Sequence, residues 1–171
     1  MNVTISDGRT PIPIRFNNGE VEYVNINLYD RHLMERIEAF EESVTERLKK
    51  IDFSKYADAF KDGKFSVVDS FEKIMEMTDD ERAEYVSQIM KIKSASEEIE
   101  AEYCEELDRA LDANFSAKAF KYVSPLTEIL LEDGSKTYYM MTVLEALAKE
   151  IENHISKLQS ATNKHTAKYR S

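Results

Sequence analysis

Three stretches of the chain carry apolar residues at alternating spacings of four and three, each forming a narrow stripe along a helix. The longest stripe is Tyr85, Ile89, Ile92, Ile99, Tyr103 and Leu107, with Ser96 standing where the spacing calls for another apolar side chain. It predicts one uninterrupted helix over 78–114, about 50 Å long at 1.5 Å per residue. Thr78-Asp79-Asp80-Glu81 opens it as a capping box, in which hydroxyl and carboxylate each serve the other residue's backbone amide. A second stripe, Leu33, Ile37, Phe40, Val44, Leu48 and Ile51, predicts a helix that begins at Arg31 under an Asp30 cap. A third, Met140, Leu144, Leu147, Ile151, Ile155 and Leu158, predicts a final helix capped by Ser135. Stripes this narrow suit long helices that share a seam, so the expected fold is mainly α, an antiparallel helical bundle with a long central helix.

The first 28 residues follow a different period. Ile12, Ile14 and Phe16 alternate with Pro13 and Arg15, Asn17-Asn18-Gly19 supplies a turn, and Val24, Ile26 and Leu28 alternate with asparagines, which predicts a β-hairpin. Pro11 and Pro13 mark its first strand as an edge. Two strands are marginal alone, so the hairpin either lids the helices or pairs with another chain. Between Asp52 and Met77 the pattern breaks into short pieces: a turn or two over Tyr56 to Phe60, a stop at Gly63 and a short helix with Val67, Val68, Phe71, Ile74 and Met75. The aromatics there read as a satellite of the core or as a partner pocket. After Phe115-Ser116-Ala117-Lys118-Ala119-Phe120, Ser124-Pro125 suggests a short helix through Leu131, closed by Asp133-Gly134. Three regions result: 1–28 as the N-terminal β-hairpin, 29–159 as the helical bundle, and 160–171 as a basic, flexible tail.

Charge narrows the function classes. The chain of 171 residues has a formal charge of −10, which argues against nucleic acid or an anionic membrane surface as the main partner. No apolar run approaches the roughly 18 residues of a membrane span, and no leader pattern opens the chain, so a soluble, cytoplasmic protein is expected. Cys104 is the single cysteine, which removes disulfides and thiolate zinc sites. The acidic run Glu97 to Asp112 reads as a solvated helix face or as a surface for a basic partner. Glu150 and His154 lie one helical turn apart, a surface hydrogen bond sooner than a ligand set. With four glycines there is little backbone to cradle a phosphate. Neither a nucleophile elbow nor a Glu-x-x-His pair occurs. No enzyme, cofactor or metal is expected.

The order of parts then carries a resemblance. Leu28-Tyr29-Asp30 introduces the first helix, and Phe115, Lys118 and Phe120 form a phenylalanine-centred turn before the last one. The chain ends in Lys168-Tyr169-Arg170. In these features it resembles the tail assembly chaperones of long-tailed bacteriophages and prophages of Gram-positive hosts. The glycines that usually follow the turn phenylalanine are replaced by Ser116 and Ala117. The resemblance implies a non-catalytic protein of the host bacterial cytoplasm that binds the tape measure protein and helps recruit tail-tube subunits. Its partner contacts would be Phe115, Phe120 and Tyr122 at the turn and Lys164, Lys168 and Arg170 in the tail. The alternative is a structural or scaffolding virion component that self-assembles through its edge strand and helical seams. Under either reading a homo-oligomer stays open.

Overall fold

The computed structural model describes residues 7–50 and 75–170, the side chains of Ile89 and Ile92 excepted. Expectations for 51–74, including Ile51, the turn at Tyr56, the Gly63 stop and the aromatic cluster, lie outside the described residues. The chain is mainly helical, with a two-stranded antiparallel hairpin at its N-terminal end. In order, β1 (Arg9–Arg15) and β2 (Val21–Asn27) are followed by α1 (Leu33–Lys50), α2 (Asp79–Leu111) and the single turn α3 (Ser116–Ala119). A small second hairpin, β3 (Glu128–Leu130) and β4 (Lys136–Tyr138), leads into α4 (Tyr139–Tyr169). Two compact units divide the chain. One comprises 1–43 with 103–171, the other 44–102.

The first hairpin forms as its alternation predicts. Arg9 pairs with Asn27 and Arg15 with Val21, and the inward residues Ile12, Val24 and Ile26 are buried together with Leu28. Its loop closes when the Phe16 amide donates to the Glu20 carbonyl and the Gly19 amide donates back to Phe16, with Gly19 at φ +88°. A three-residue loop needs its last residue in the left-handed region, where glycine meets no Cβ penalty. The second hairpin repeats this wiring. Leu131 donates to Ser135, Gly134 donates to Leu131, and Gly134 sits at φ +82°.

That hairpin corrects the expected helix over 124–131. Ser124-Pro125 makes one turn, closed by the Thr127 amide on the Ser124 carbonyl, and the chain then extends as β3. The loop geometry at Asp133-Gly134 sets Glu128–Leu130 against Lys136–Tyr138, and a hairpin satisfies both sides' amides where an isolated helical turn would leave most unpaired. Ser135 is likewise no helix cap. Its amide and hydroxyl both bond to Asp133 Oδ1 within the loop, and β4 runs straight into α4. Two backbone bonds fix this junction, Tyr139 to Thr127 at 2.8 Å and Met140 to Pro125 at 2.9 Å.

In the unit of 1–43 and 103–171, the helical stripes supply the core. Leu33, Ile37 and Phe40 of α1, Tyr103, Leu107 and Leu111 of α2, and Met140, Leu144, Leu147 and Ile151 of α4 are all buried. Asp30 caps α1 by accepting the His32 amide at 2.9 Å, although regular helix starts at Leu33. The Arg36 side chain then bonds to Asp30 at 2.7 Å and to the Ala110 carbonyl at 2.8 Å, joining the start of α1 to the end of α2. In the unit of 44–102, the expected capping box opens α2: Glu81 N–H donates to the Thr78 hydroxyl at 3.3 Å and Thr78 N–H to the Glu81 carboxylate at 2.9 Å. There Val44 and Tyr85 are buried, Leu48 and Ile99 are half-buried, and Arg47 meets Glu102 at 3.1 Å.

The long helix is uninterrupted from Asp79 but stops at Leu111, short of the expected Asn114. Asp112 stands at φ +49°, its amide bonds to the Arg109 carbonyl, and the Ala113 amide reaches back to Asp108. These two bonds and the left-handed residue make a Schellman ending, with Asp in the place glycine usually takes. At the other end of the chain, α4 continues as helix through the basic stretch to Tyr169, and every side chain from Gln159 to Arg170 is exposed.

Candidate functional site

The turn that follows the Schellman ending is held by one carboxylate. Asp108 Oδ1 accepts the amides of Phe115 at 3.0 Å and Ser116 at 2.7 Å, while Oδ2 accepts the Ser116 hydroxyl at 2.7 Å. An aspartate in the last turn of α2 therefore caps α3, seven and eight residues ahead of it. The Ser116 side chain is buried and engaged by this carboxylate, and α3 sits right-handed from its first residue.

The same turn is pinned to the first hairpin. Arg9 reaches the Asp112 carbonyl and carboxylate at 2.8 Å each, and Lys118 donates to the Tyr23 carbonyl at 2.7 Å. Beyond α3, Lys121 bonds to Glu20 at 2.5 Å and reaches Glu22 at 3.5 Å, and the Tyr122 hydroxyl donates to Glu20. Phe16 meets the Tyr122 ring edge-on at 5.1 Å. Lys121, then Tyr122, holds the Glu20 carboxyl below the usual carboxylate range, and Glu20 in turn pushes the lysine up.

Both edges of the first hairpin are closed to further strands. The Phe16 to Glu20 bond sets the alternation, so Thr10, Ile12, Ile14 and Phe16 point their backbone groups at β2 while Pro11, Pro13 and Arg15 point theirs outward. Of the four outward positions on β1, which include Arg9, two are prolines with no N–H, and the Arg9 amide is taken by Asp7. On the opposite edge, the carbonyls of Tyr23 and Asn25 are taken by Lys118 and Arg9. Natural sheets blunt their edges by such means. The strand edge expected as a self-assembly surface has little to offer an incoming strand.

Beside β1 runs an open groove of about 400 Å³. Pro13, Ile14 and Phe16 form one wall, Phe115 and Ala119 the floor, and Tyr139, Val143 and Ala146 of α4 the other wall. The lining is largely apolar. Arg15 and Glu150 are its charged members. Glu150 is bonded to His154 at 3.2 Å, the surface pair expected from the sequence, and among the described residues no group of three ligating side chains forms a metal site. Arg15 has no hydrogen-bond or ion-pair partner among the described residues.

The residues singled out from the sequence separate into two places. Phe115 is 2% exposed and contacts the outside only as groove floor. Phe120 is half-buried between Phe115 and Tyr139, edge-on to each at 6.5 and 6.1 Å. Tyr122 is 55% exposed and belongs to the Glu20 clasp. Lys164, Lys168 and Arg170 stand exposed at the far end of α4, where His165 and Tyr169 stack at 5.0 Å. Sequence reasoning missed Asp108, which it absorbed into an acidic helix face, and missed the groove. The available signal was an aspartate in a closing helical turn followed by an unpaired Phe-Ser at the next helical start. Among the described residues no helix is long and apolar enough to cross a membrane. No family model, curated protein or solved structure matches the chain.

Proposed function

We propose that the protein is a non-catalytic tail assembly chaperone, which binds a phage tape measure protein in the host bacterial cytoplasm and helps bring tail-tube subunits to it. The observation that carries the reading is the exposed basic end of α4, where about three helical turns with Lys164, Lys168 and Arg170 and no acid extend from an otherwise acidic chain. Such an end spans about 15 Å. It buries nothing in its own chain and is suited to lie along another helix, with charge supplying attraction and reversibility. Supporting it is the order of parts: a hairpin, an Asp30-capped helix, an acidic long helix, a turn through Phe115, Lys118 and Phe120, and the basic-ended last helix. The stripes of α1, α2 and α4 are read as closing an antiparallel bundle, with the turn residues Phe115, Phe120 and Tyr122 shaping the face toward the partner.

Co-expression with a tape measure protein tests this. A soluble complex that co-purifies is expected, and a tape measure that stays equally insoluble with no co-purification overturns the reading. The alternative, a structural virion component, loses its edge-strand route because Pro11 and Pro13 occupy outward positions. Mass analysis of purified particles separates the two, since stoichiometric copy number favours the structural reading.

A further inference from the structure

The second hairpin has an unusual tip. Hairpin loops ordinarily carry small polar residues, yet β3 runs out into Leu130, 70% exposed, and Leu131, 40% exposed, followed by Glu132. The bonds between Leu131, Gly134 and Ser135 close the loop and leave the Leu130 and Leu131 side chains as its exposed apolar part. The groove beside β1 asks for that kind of occupant. Its strand wall lacks two outward N–H groups, which rules out pairing with an added strand, while its walls and floor are largely apolar.

Charge matches as well. Arg15 at the groove and Glu132 at the tip each lack a hydrogen-bond or ion-pair partner among the described residues. The groove is not filled from within, because Leu130 stands in solvent in its own chain and Leu131, opposite Ser135, lies about 13 Å of extended strand from Tyr139.

We propose that the groove between β1 and α4 receives the Leu130–Leu131 tip of a second copy of this chain, with Glu132 of that copy meeting Arg15. Groove and tip are different surfaces, so the contact is heterologous and propagates head to tail. A loop tip in a groove buries less than a standard interface and is therefore weak and reversible. This inference does not rest on the chaperone reading, because it concerns the chain alone.

Sedimentation velocity on the full chain, from micromolar to millimolar concentration, reads the association. Wild type is expected to grow beyond dimers as concentration rises. The tip variant L130S/L131S and the groove variant A146E, both changed at exposed or half-exposed positions, are each expected to weaken association about tenfold or more. Their equimolar mixture regains a dimer and stops there, since one intact tip and one intact groove remain per pair. The charge reversals R15E and E132R should each weaken association, and their mixture should restore it, because both contacts between unlike chains then pair opposite charges. A monomeric wild type at all concentrations overturns the proposal, as does unchanged association in either apolar variant, or a mixture that forms no dimer. Loss of tape measure capture in A146E with self-association intact also overturns it and assigns the groove to that partner.

Discussion

Replacing Asp108 with alanine removes the one carboxylate that organises 112–120. Two backbone amides and one hydroxyl, bonded at 3.0, 2.7 and 2.7 Å, lose their acceptor at once. Hydrogen bonds to a charged group contribute about 1.5–3 kcal/mol each before coupling, and loss of a helix cap costs about 0.5–2 kcal/mol. The three bonds share one side chain and cannot be summed, so D108A is expected to destabilise the unit of 1–43 and 103–171 by about 2–4 kcal/mol. D108N keeps an acceptor for the amides and turns its NH₂ toward the Ser116 hydroxyl, which can accept, so it should cost only about 1 kcal/mol. Urea unfolding followed by near-ultraviolet circular dichroism uses the tyrosines, as the chain has no tryptophan. Hydrogen exchange at the Phe115 and Ser116 amides gives the local reading. Should D108A unfold within about 0.5 kcal/mol of wild type, with both amides still protected, the cap does not hold the turn.

Asp112 pays a backbone penalty at φ +49°, and its ion pair with Arg9 is solvent-exposed. D112G should therefore stabilise by about 0.5–1 kcal/mol in the same urea assay, Arg9 keeping its bond to the main-chain oxygen. Returning two donors to the outer edge of β1 with P11T/P13V should produce association that persists in the L130S/L131S background, read by sedimentation; a monomer would show the edge to be closed by something other than proline. Acid should open the clasp. Glu20 titrates below its ordinary 4.5 because Lys121 and Tyr122 bond its carboxylate, and Asp30 below 3.8 because Arg36 and the His32 amide do the same. Their stabilisation is present above those ordinary values and is lost as pH falls through the depressed folded ones. Lys121, shifted upward, stays charged throughout that window. Exchange protection near Tyr122 should fall as the pH drops beneath the ordinary carboxylate value of 4.5 and through the lowered one, and E20Q should remove that dependence on pH.

Elements with a full repeat were legible in the sequence. The three stripes, the Thr78–Glu81 box, the Asp30 cap and the first hairpin's alternation all follow from local patterns that tertiary contacts reinforce. The segment 124–138 was not legible as a hairpin. Ser124-Pro125 imitates a helical start, and three-residue strands are too short to display a period of two. Their clue was the loop Glu132-Asp133-Gly134, which repeats the closing glycine of Asn17-Asn18-Gly19. The candidate site was harder still. Phe115 reads as an aromatic at a turn, but whether it is core or surface depends on Asp108 and Lys118, which act across distances that no residue spacing reveals. The groove depends on β1 lying beside α4, residues more than a hundred positions apart.

Under the proposed function the chain holds a tape measure protein through the basic end of its last helix. Co-expression of the two, with the amount of co-purified tape measure protein measured at low and high salt, tests it most directly. The account predicts a soluble complex for wild type and a much smaller, salt-sensitive yield for K164E/K168E/R170E, each of those positions being exposed and outside the core. Equal yields for the two chains at low salt would contradict the role given to the helix end, and no complex with either would contradict the chaperone reading itself.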